Sequence, residues 1–177
     1  MIKSIGLILS FLLFFQETTF KKQKLTDYLS MEVSTELREM TQQELSSKFL
    51  GARIPDVAMT DAQSGVEFTI TASSTFWQEG DVALLKDFYD SSIPPLFKQI
   101  DFSQKELVTI NDKQFAAYQF DGKPANERGS GSEQRYTYLL YTIHKNGLVT
   151  ISFSCPPYLK SKWEPIAQKM FGSVKFR

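Results

Sequence analysis

The sequence predicts an α+β domain, an antiparallel β-sheet of about six strands flanked by α-helices. Two segments, Tyr136 to His144 and Leu148 to Cys155, alternate apolar and polar residues around a turn, as the strands of a hairpin do. Val66 to Ala72 alternates in the same way. Tyr158 to Phe171 instead carries its apolar residues at helical spacing, so a helix is expected to close the chain and cover the sheet.

Length and charge limit the kind of protein. The chain has 177 residues, enough for one domain whose core needs no metal or cross-link. Its 20 basic and 20 acidic residues balance, so no nucleic-acid partner is expected. Cys155 is the single cysteine and His144 the single histidine, which excludes an internal disulfide and a Cys/His zinc set. We expect no metal and no cofactor.

The N-terminus carries an apolar run from Ile5 to Phe15, shortly after Lys3. Its length is typical of a signal peptide and short for a membrane span. Residues 1–20 are therefore predicted to be a signal peptide or an N-terminal membrane anchor, and residues 24–177 a single domain. An exported protein of a bacterial periplasm or cell envelope is expected. A buried or interfacial apolar N-terminus is the alternative.

The first half of the domain begins with a strand at Leu29 to Val33, followed by a short extended piece at Leu37 to Met40. Thr41 and Glu44 have the spacing of a capping box, which predicts a short helix to about Phe49. Residues 52–65 are expected to be a loop, with room for a short strand near residues 57–59.

Asp81 is placed to cap a helix with an apolar stripe through Val82, Leu85, Phe88 and Tyr89. The stripe continues in phase to Ile100, although prolines at 94 and 95 interrupt it. Two helices, or one kinked helix, are therefore expected over this stretch.

Two further strands are predicted at Glu106 to Ile110 and Gln114 to Phe120. Asp121 to Gln134 is rich in glycine, serine and charge and is expected to be a mobile loop. The hairpin after it closes in one of two ways. A two-residue Asn146-Gly147 turn would pair apolar residues with hydroxyls, whereas a three-residue loop with Gly147 in the left-handed region pairs Ile143 with Val149. The second register is preferred because it gives one unbroken apolar face, with Leu140 as an exception on the wet face.

The end of the chain reads SCPPYLKSKWEPIAQKMFGSVKF, a strand end, a proline pair, an amphipathic helix and a short extended tail. Together with the preceding hairpin and polar turn, it resembles the C-terminal half of the PsbP-like fold. The order of elements from Leu29 onward is similar too. This superfamily includes the extrinsic photosystem II subunit, a Ran-binding nuclear-import factor and exported bacterial proteins of unknown role. The resemblance implies an antiparallel sheet with helices on both sides and a noncatalytic accessory or binding role.

Nucleophilic chemistry is not expected. In the preferred register Cys155 and His144 lie on opposite faces of the sheet, and in the other register they are roughly 20 Å apart, so they cannot form a dyad. Cys155 is interpreted as a small buried hydrophobe and His144 as an exposed hydrogen-bonding residue. Ser130 and Ser132 lie in a glycine-rich linker without a histidine base.

Loop carboxylates offer the remaining route to catalysis. Asp56 and Asp61, or Glu79 and Asp81, lie in loops where two acids could approach one another. Their spacing fits no EF-hand loop, because the alternating oxygen ligands are missing. Solvated turn residues are the simpler interpretation.

Phe76 and Trp77 are the candidate binding residues. They connect a strand to a helix, where two adjacent aromatic side chains need not both fit in the core. If Trp77 is exposed beside Tyr136 or the loop that precedes it, these residues would anchor a partner or an apolar ligand. Core packing is the alternative.

We therefore expect a noncatalytic, exported accessory or binding protein, acting on an unknown envelope protein or small ligand, with N-terminal membrane association allowed. A hydrolase or transferase using the loop carboxylates is the first alternative. An intracellular adaptor is the second, and the apolar N-terminus argues against it.

Overall fold

A computed structural model of the chain describes residues 18–125 and 133–177. The helices are α1 (Gln42–Lys48), α2 (Val82–Ser92) and α3 (Pro157–Gly172), with short 3-10 turns at Glu79–Asp81 and Pro94–Leu96. The strands are β1 (Phe20–Lys24), β2 (Leu29–Ser34), β3 (Arg38–Glu39), β4 (Val57–Thr60), β5 (Glu67–Ser74), β6 (Phe97–Ile110), β7 (Lys113–Pro124), β8 (Arg135–His144), β9 (Gly147–Cys155) and β10 (Lys175–Phe176). Of the predicted signal peptide or anchor at residues 1–20, residues 1–17 lie outside the described part.

The strands form two antiparallel sheets. The larger sheet has seven strands in the order β3-β4-β5-β9-β8-β7-β6, and the smaller has three in the order β1-β2-β10. The α+β class is thus confirmed, with more strands than the sequence suggested. β1, which the sequence did not predict, and β10, the expected extended tail, are short and pair with the two edges of β2. Among the described residues, none of the helices combines the length and the hydropathy that crossing a membrane requires.

The central strands of the larger sheet are buried on both faces. On one face, α3 contributes Trp163 and Met170 to a core that also contains Phe68, Phe153 and residues of β2. On the other face, Val82 and Leu85 of α2 pack with Tyr118 and Ile143 in a second core. Helices therefore lie on both sides of the sheet, as the resemblance implied. We refer to these as the α3 core and the α2 core.

The hairpin register differs from the expected one. Lys145 and Asn146 both have positive φ, 49° and 60°, and form a two-residue turn that pairs His144 with Gly147. Ile143 therefore pairs with Leu148, so the expected three-residue loop is wrong, and so is the alternative turn. The preference for one apolar face was misleading because α2 buries the second face. Leu140, the supposed exception, lies in the α3 core.

The segment after α2 is also corrected. Pro94 begins a single 3-10 turn, and from Phe97 the chain is extended as β6, so the expected second helix is absent from the described chain. The prolines end α2 as the sequence indicated, but pairing with β7 then replaces helical hydrogen bonds. The same pairing extends β7 to Pro124, so residues 121–124 are strand and not loop. Residues 126–132 of the predicted loop lie outside the described part.

Other local predictions are confirmed. Thr41 caps α1, and the Glu44 side chain accepts a hydrogen bond from the backbone N–H of Thr41 in return. Gly51, just past the helix, has a φ of 73°, where glycine carries no steric penalty. The short extended pieces near residues 38 and 57 pair with each other as β3 and β4.

Candidate functional site

Phe76 and Trp77 lie in the connection between β5 and α2. Phe76 is 81% exposed, and its ring centroid is 4.8 Å from that of Trp77. Trp77 is only partly exposed, because its inner side packs against the α2 core. The structure therefore combines both sequence interpretations: Trp77 contributes to packing, and it also supports a fully exposed neighbour.

The outer side of α2 extends this apolar surface. Phe88 is 52% exposed, with its ring centroid 6.5 Å from that of Trp77. Leu84 is 55% exposed and lies four residues before Phe88, hence on the same side of the helix. We call the set formed by Phe76, Trp77, Leu84 and Phe88 the aromatic surface. Phe88 was expected in the apolar stripe with Val82 and Leu85, but it is half exposed. The i, i+4 spacing of Leu84 and Phe88 is the sequence signal for this second apolar side of α2.

The aromatic surface rests on a packed base. Phe88 contacts Tyr89 edge to face with ring centroids 5.2 Å apart, and Tyr89 stacks on Tyr141 of β8 at 3.8 Å. Burial of Tyr89 raises the pKa of its hydroxyl. Because stacked rings already limit the freedom of the Phe88 side chain, this surface would lose little conformational entropy on binding a partner.

Carboxylates border the aromatic surface. Asp81 is the N-cap residue of α2 by position, but its side chain makes no capping hydrogen bond to that helix. It instead accepts from the backbone N–H of Gln78, 2.8 Å away, and so closes the 3-10 turn that precedes α2. Glu79 accepts from the backbone N–H of Lys145 at 2.9 Å and from the Lys113 ammonium at 3.4 Å, which lowers the pKa of Glu79. The connection that carries Phe76 is thereby attached to the β8–β9 turn.

Tyr136 does not join the aromatic surface. Its side chain is fully buried in the α3 core, on the opposite face of the larger sheet. The Tyr136 hydroxyl donates a hydrogen bond to the Gln119 side-chain oxygen at 2.8 Å, and burial raises its pKa. The expectation that Trp77 and Tyr136 form one binding site is therefore corrected, and Tyr136 acts in packing.

The loop carboxylates are engaged by the backbone. Asp61 is buried and accepts from the N–H groups of Gly65 and Val66 at 2.7 and 3.0 Å. Asp56 accepts from the backbone N–H of Ala72 at 2.6 Å. The Asp61 bonds close the turn between β4 and β5, and the Asp56 bond joins the outer ends of the same two strands, so both acids serve the structure of this hairpin. Across residues 18–125 and 133–177, no three acidic, histidine or cysteine side chains lie close enough to hold a metal ion.

Cys155 and His144 lie at opposite ends of the β8–β9 hairpin. Cys155 is buried in the α3 core, and burial raises the pKa of its thiol to about 11, which disfavours the reactive thiolate. The His144 side chain is only 11% exposed and stacks on Tyr28. The expectation of an exposed histidine is therefore wrong, because β2 and β10 bring aromatic rings over the hairpin turn.

The fold is shared with solved structures of low sequence identity. Cyanobacterial PsbP (CyanoP) from Synechocystis sp. PCC 6803 matches with a TM-score of 0.54 and 14% identity, over 90% of this chain and 94% of that one. LpqN, involved in cell envelope biogenesis of Mycobacterium tuberculosis, matches with a TM-score of 0.54 and 10% identity, over 84% of this chain and 82% of LpqN. No protein-family model and no curated protein matches the sequence. The chain has the PsbP-like fold.

Proposed function

We propose that this protein is a noncatalytic binding protein of the cell envelope that captures an envelope protein or an apolar ligand through the aromatic surface. The observation that carries the proposal is the clustering of exposed Phe76, Leu84 and Phe88 around a partly buried Trp77. Scattered apolar side chains are ordinary on a protein surface, whereas a contiguous group with an aromatic anchor is typical of interfaces.

The energetics favour binding at this surface. Burying a large apolar side chain is worth about 1.5 to 3 kcal/mol relative to leaving it in water. The aromatic surface offers several such side chains without requiring the domain to rearrange, because stacked rings already support Phe88. A partner that covers Phe76 and Phe88 together would gain most from this arrangement.

A location in the cell envelope is supported by the apolar run from Ile5 to Phe15, which has signal-peptide length. The fold shared with LpqN, a protein involved in cell envelope biogenesis, agrees with it. Cell fractionation and sequencing of the mature N-terminus test this part. An intact Met1 form in the cytosol would contradict it.

The aromatic surface is tested by capture from envelope fractions with wild-type protein and with Phe76→Ala and Phe88→Ala variants. Both side chains are largely exposed, so we expect capture to fall at least tenfold while the melting temperature stays within about 2 °C. Trp77→Ala should lower capture too, with a modest loss of stability because its inner side packs on the α2 core.

The matched control is Tyr158→Ala, which removes an aromatic side chain that is 78% exposed on α3, across the sheet. This control should bind as the wild type does. The proposal is contradicted if the Phe76 and Phe88 variants capture as much partner as the wild type, or if Tyr158→Ala loses as much capture as they do.

A further inference from the structure

The smaller sheet presents a positively charged face. Alternate residues of a strand share a face, and so do directly paired residues, so Lys22 and Lys24 of β1 lie on the same side as Lys175 of β10. Lys24 and Lys175 flank Ser30 of β2 from its two sides, which sets their Cα atoms about 10 Å apart. Arg177 follows Lys175 by two residues and continues the face.

A further cation comes from α3. The Lys169 ammonium lies 4.0 Å from the centre of the Phe20 ring, and Phe20 alternates with Lys22 on β1. We call Lys22, Lys24, Lys169, Lys175 and Arg177 the basic face. All five residues are exposed.

Positive charge dominates this face. The neighbouring carboxylates include Asp27, which binds Lys24 at 3.0 Å, and Glu32, which lies opposite Lys22 in the β1–β2 pairing. Asp56 also lies near Lys24, but it pairs with Arg53 at 3.5 Å. The charges of the whole chain balance, so a surplus of cations here leaves the rest of the molecule net negative. This separation of charge would orient a protein of zero net charge as it approaches an extended anionic surface, with the basic face turned toward that surface.

The chain also places the basic face near an apolar segment. The apolar run from Ile5 to Phe15 ends five residues before Phe20, and five residues span at most about 18 Å even when fully extended. A retained apolar segment in a bilayer would hold Lys22 and Lys24 at the level of the lipid headgroups. Basic residues beside an apolar anchor bind anionic lipid at about fivefold per cation.

We propose that the basic face docks on an anionic lipid bilayer. The cations lie on the α3 side of the larger sheet and the aromatic surface on the α2 side, so docking would leave the aromatic surface free for its partner. The inference needs the envelope location of the proposed function but not its aromatic surface, so capture and docking can fail separately.

The experiment is sedimentation of the full chain with vesicles of phosphatidylcholine alone and with phosphatidylglycerol added. The wild type should bind the anionic vesicles at least tenfold better, and the ratio should fall as salt is raised from about 50 to 500 mM. The variant K22Q/K24Q/K175Q/R177Q should bind both vesicles equally while keeping its melting temperature.

The matched control is K105Q/K123Q, which removes two exposed lysines of β6 and β7; Lys105 lies on the α2 side of the larger sheet, 3.7 Å from Asp90. It should keep at least half of the anionic preference. The proposal is overturned if the wild type binds both vesicles equally, if the quadruple variant keeps the preference, or if the control loses as much. Binding to soluble heparin without binding to vesicles would assign the face to a polyanionic macromolecule instead.

Discussion

His144 is enclosed by aromatic rings at the tip of the β8–β9 hairpin. Its ring centroid lies 5.2 Å from that of Tyr28 and 5.0 Å from that of Phe176. Its Nε2 atom is buried and has no hydrogen-bond partner within the described part of the chain. Burial lowers the pKa of His144, Lys113 and Lys145 lower it further, and Glu79 opposes them.

This environment predicts a pH dependence of stability. The unfolded histidine has a pKa near 6.5, and the folded value is lower, so the unfolded state binds protons more readily. The free energy of unfolding should therefore fall as the pH drops below about 6.5, and level off below the folded pKa. His144→Phe keeps a ring in the stack but cannot titrate.

Melting temperatures measured from pH 7.5 to 5 test this prediction, since the chain has one histidine and ordinary carboxyl groups titrate lower. The wild type should lose stability across this range and His144→Phe should lose much less. If the melting temperatures of the two proteins fall equally with pH, the lowered pKa of His144 does not contribute to stability and the prediction is wrong.

The β8–β9 turn shows how one element is closed. Lys145 and Asn146 both occupy the left-handed region, which matches the twist of a tight hairpin but costs a lysine about 1 kcal/mol. The turn is kept in place by Glu79, whose carboxylate accepts from the Lys145 backbone N–H. Tertiary contact thus supports a turn whose first residue is poorly suited to it.

Replacing the turn by Lys145→Asn with Asn146→Gly should stabilise the protein, because that pair favours positive φ at both positions. We expect the free energy of unfolding in urea to rise by about 1 kcal/mol, measured near pH 7.5, where His144 is neutral in both states. A loss of stability would instead favour the three-residue loop with Gly147 in the left-handed region.

The whole molecule is a sheet with a core on each face. Leu140 packs in the α3 core and Ile143 in the α2 core, although they lie three residues apart on the same strand. A sheet that was wet on one side would bury one of them and expose the other. Both are instead fully buried.

Leu140→Ala and Ile143→Ala should each lower the free energy of unfolding by about 2 to 5 kcal/mol, the cost of emptying a packed site. Leu84→Ala, on the exposed side of α2, is the control and should change it by less than about 0.5 kcal/mol. Urea unfolding of the three variants measures this. If Leu140→Ala lowers the free energy of unfolding no more than Leu84→Ala does, the sheet is buried on one face only.

The sequence by itself determined the elements that local physics specifies. Alternation in residues 66–72, the Thr41–Glu44 capping box and the helical spacing of Trp163, Ile166 and Met170 each correspond to an element of the structure. It also singled out Phe76 and Trp77 as adjacent aromatic residues that need not both fit in the core. These features depend on neighbours within a few residues.

Tertiary structure decided the rest. The hairpin register, the extended β6 and the burial of His144 depend on α2, β7 and β10, which are distant in sequence. The same holds for the separation of Tyr136 from Trp77, because only the packed sheet assigns them to opposite faces. Periodicity tells which side of an element is apolar, whereas the partner that covers each side is chosen by the assembled sheet.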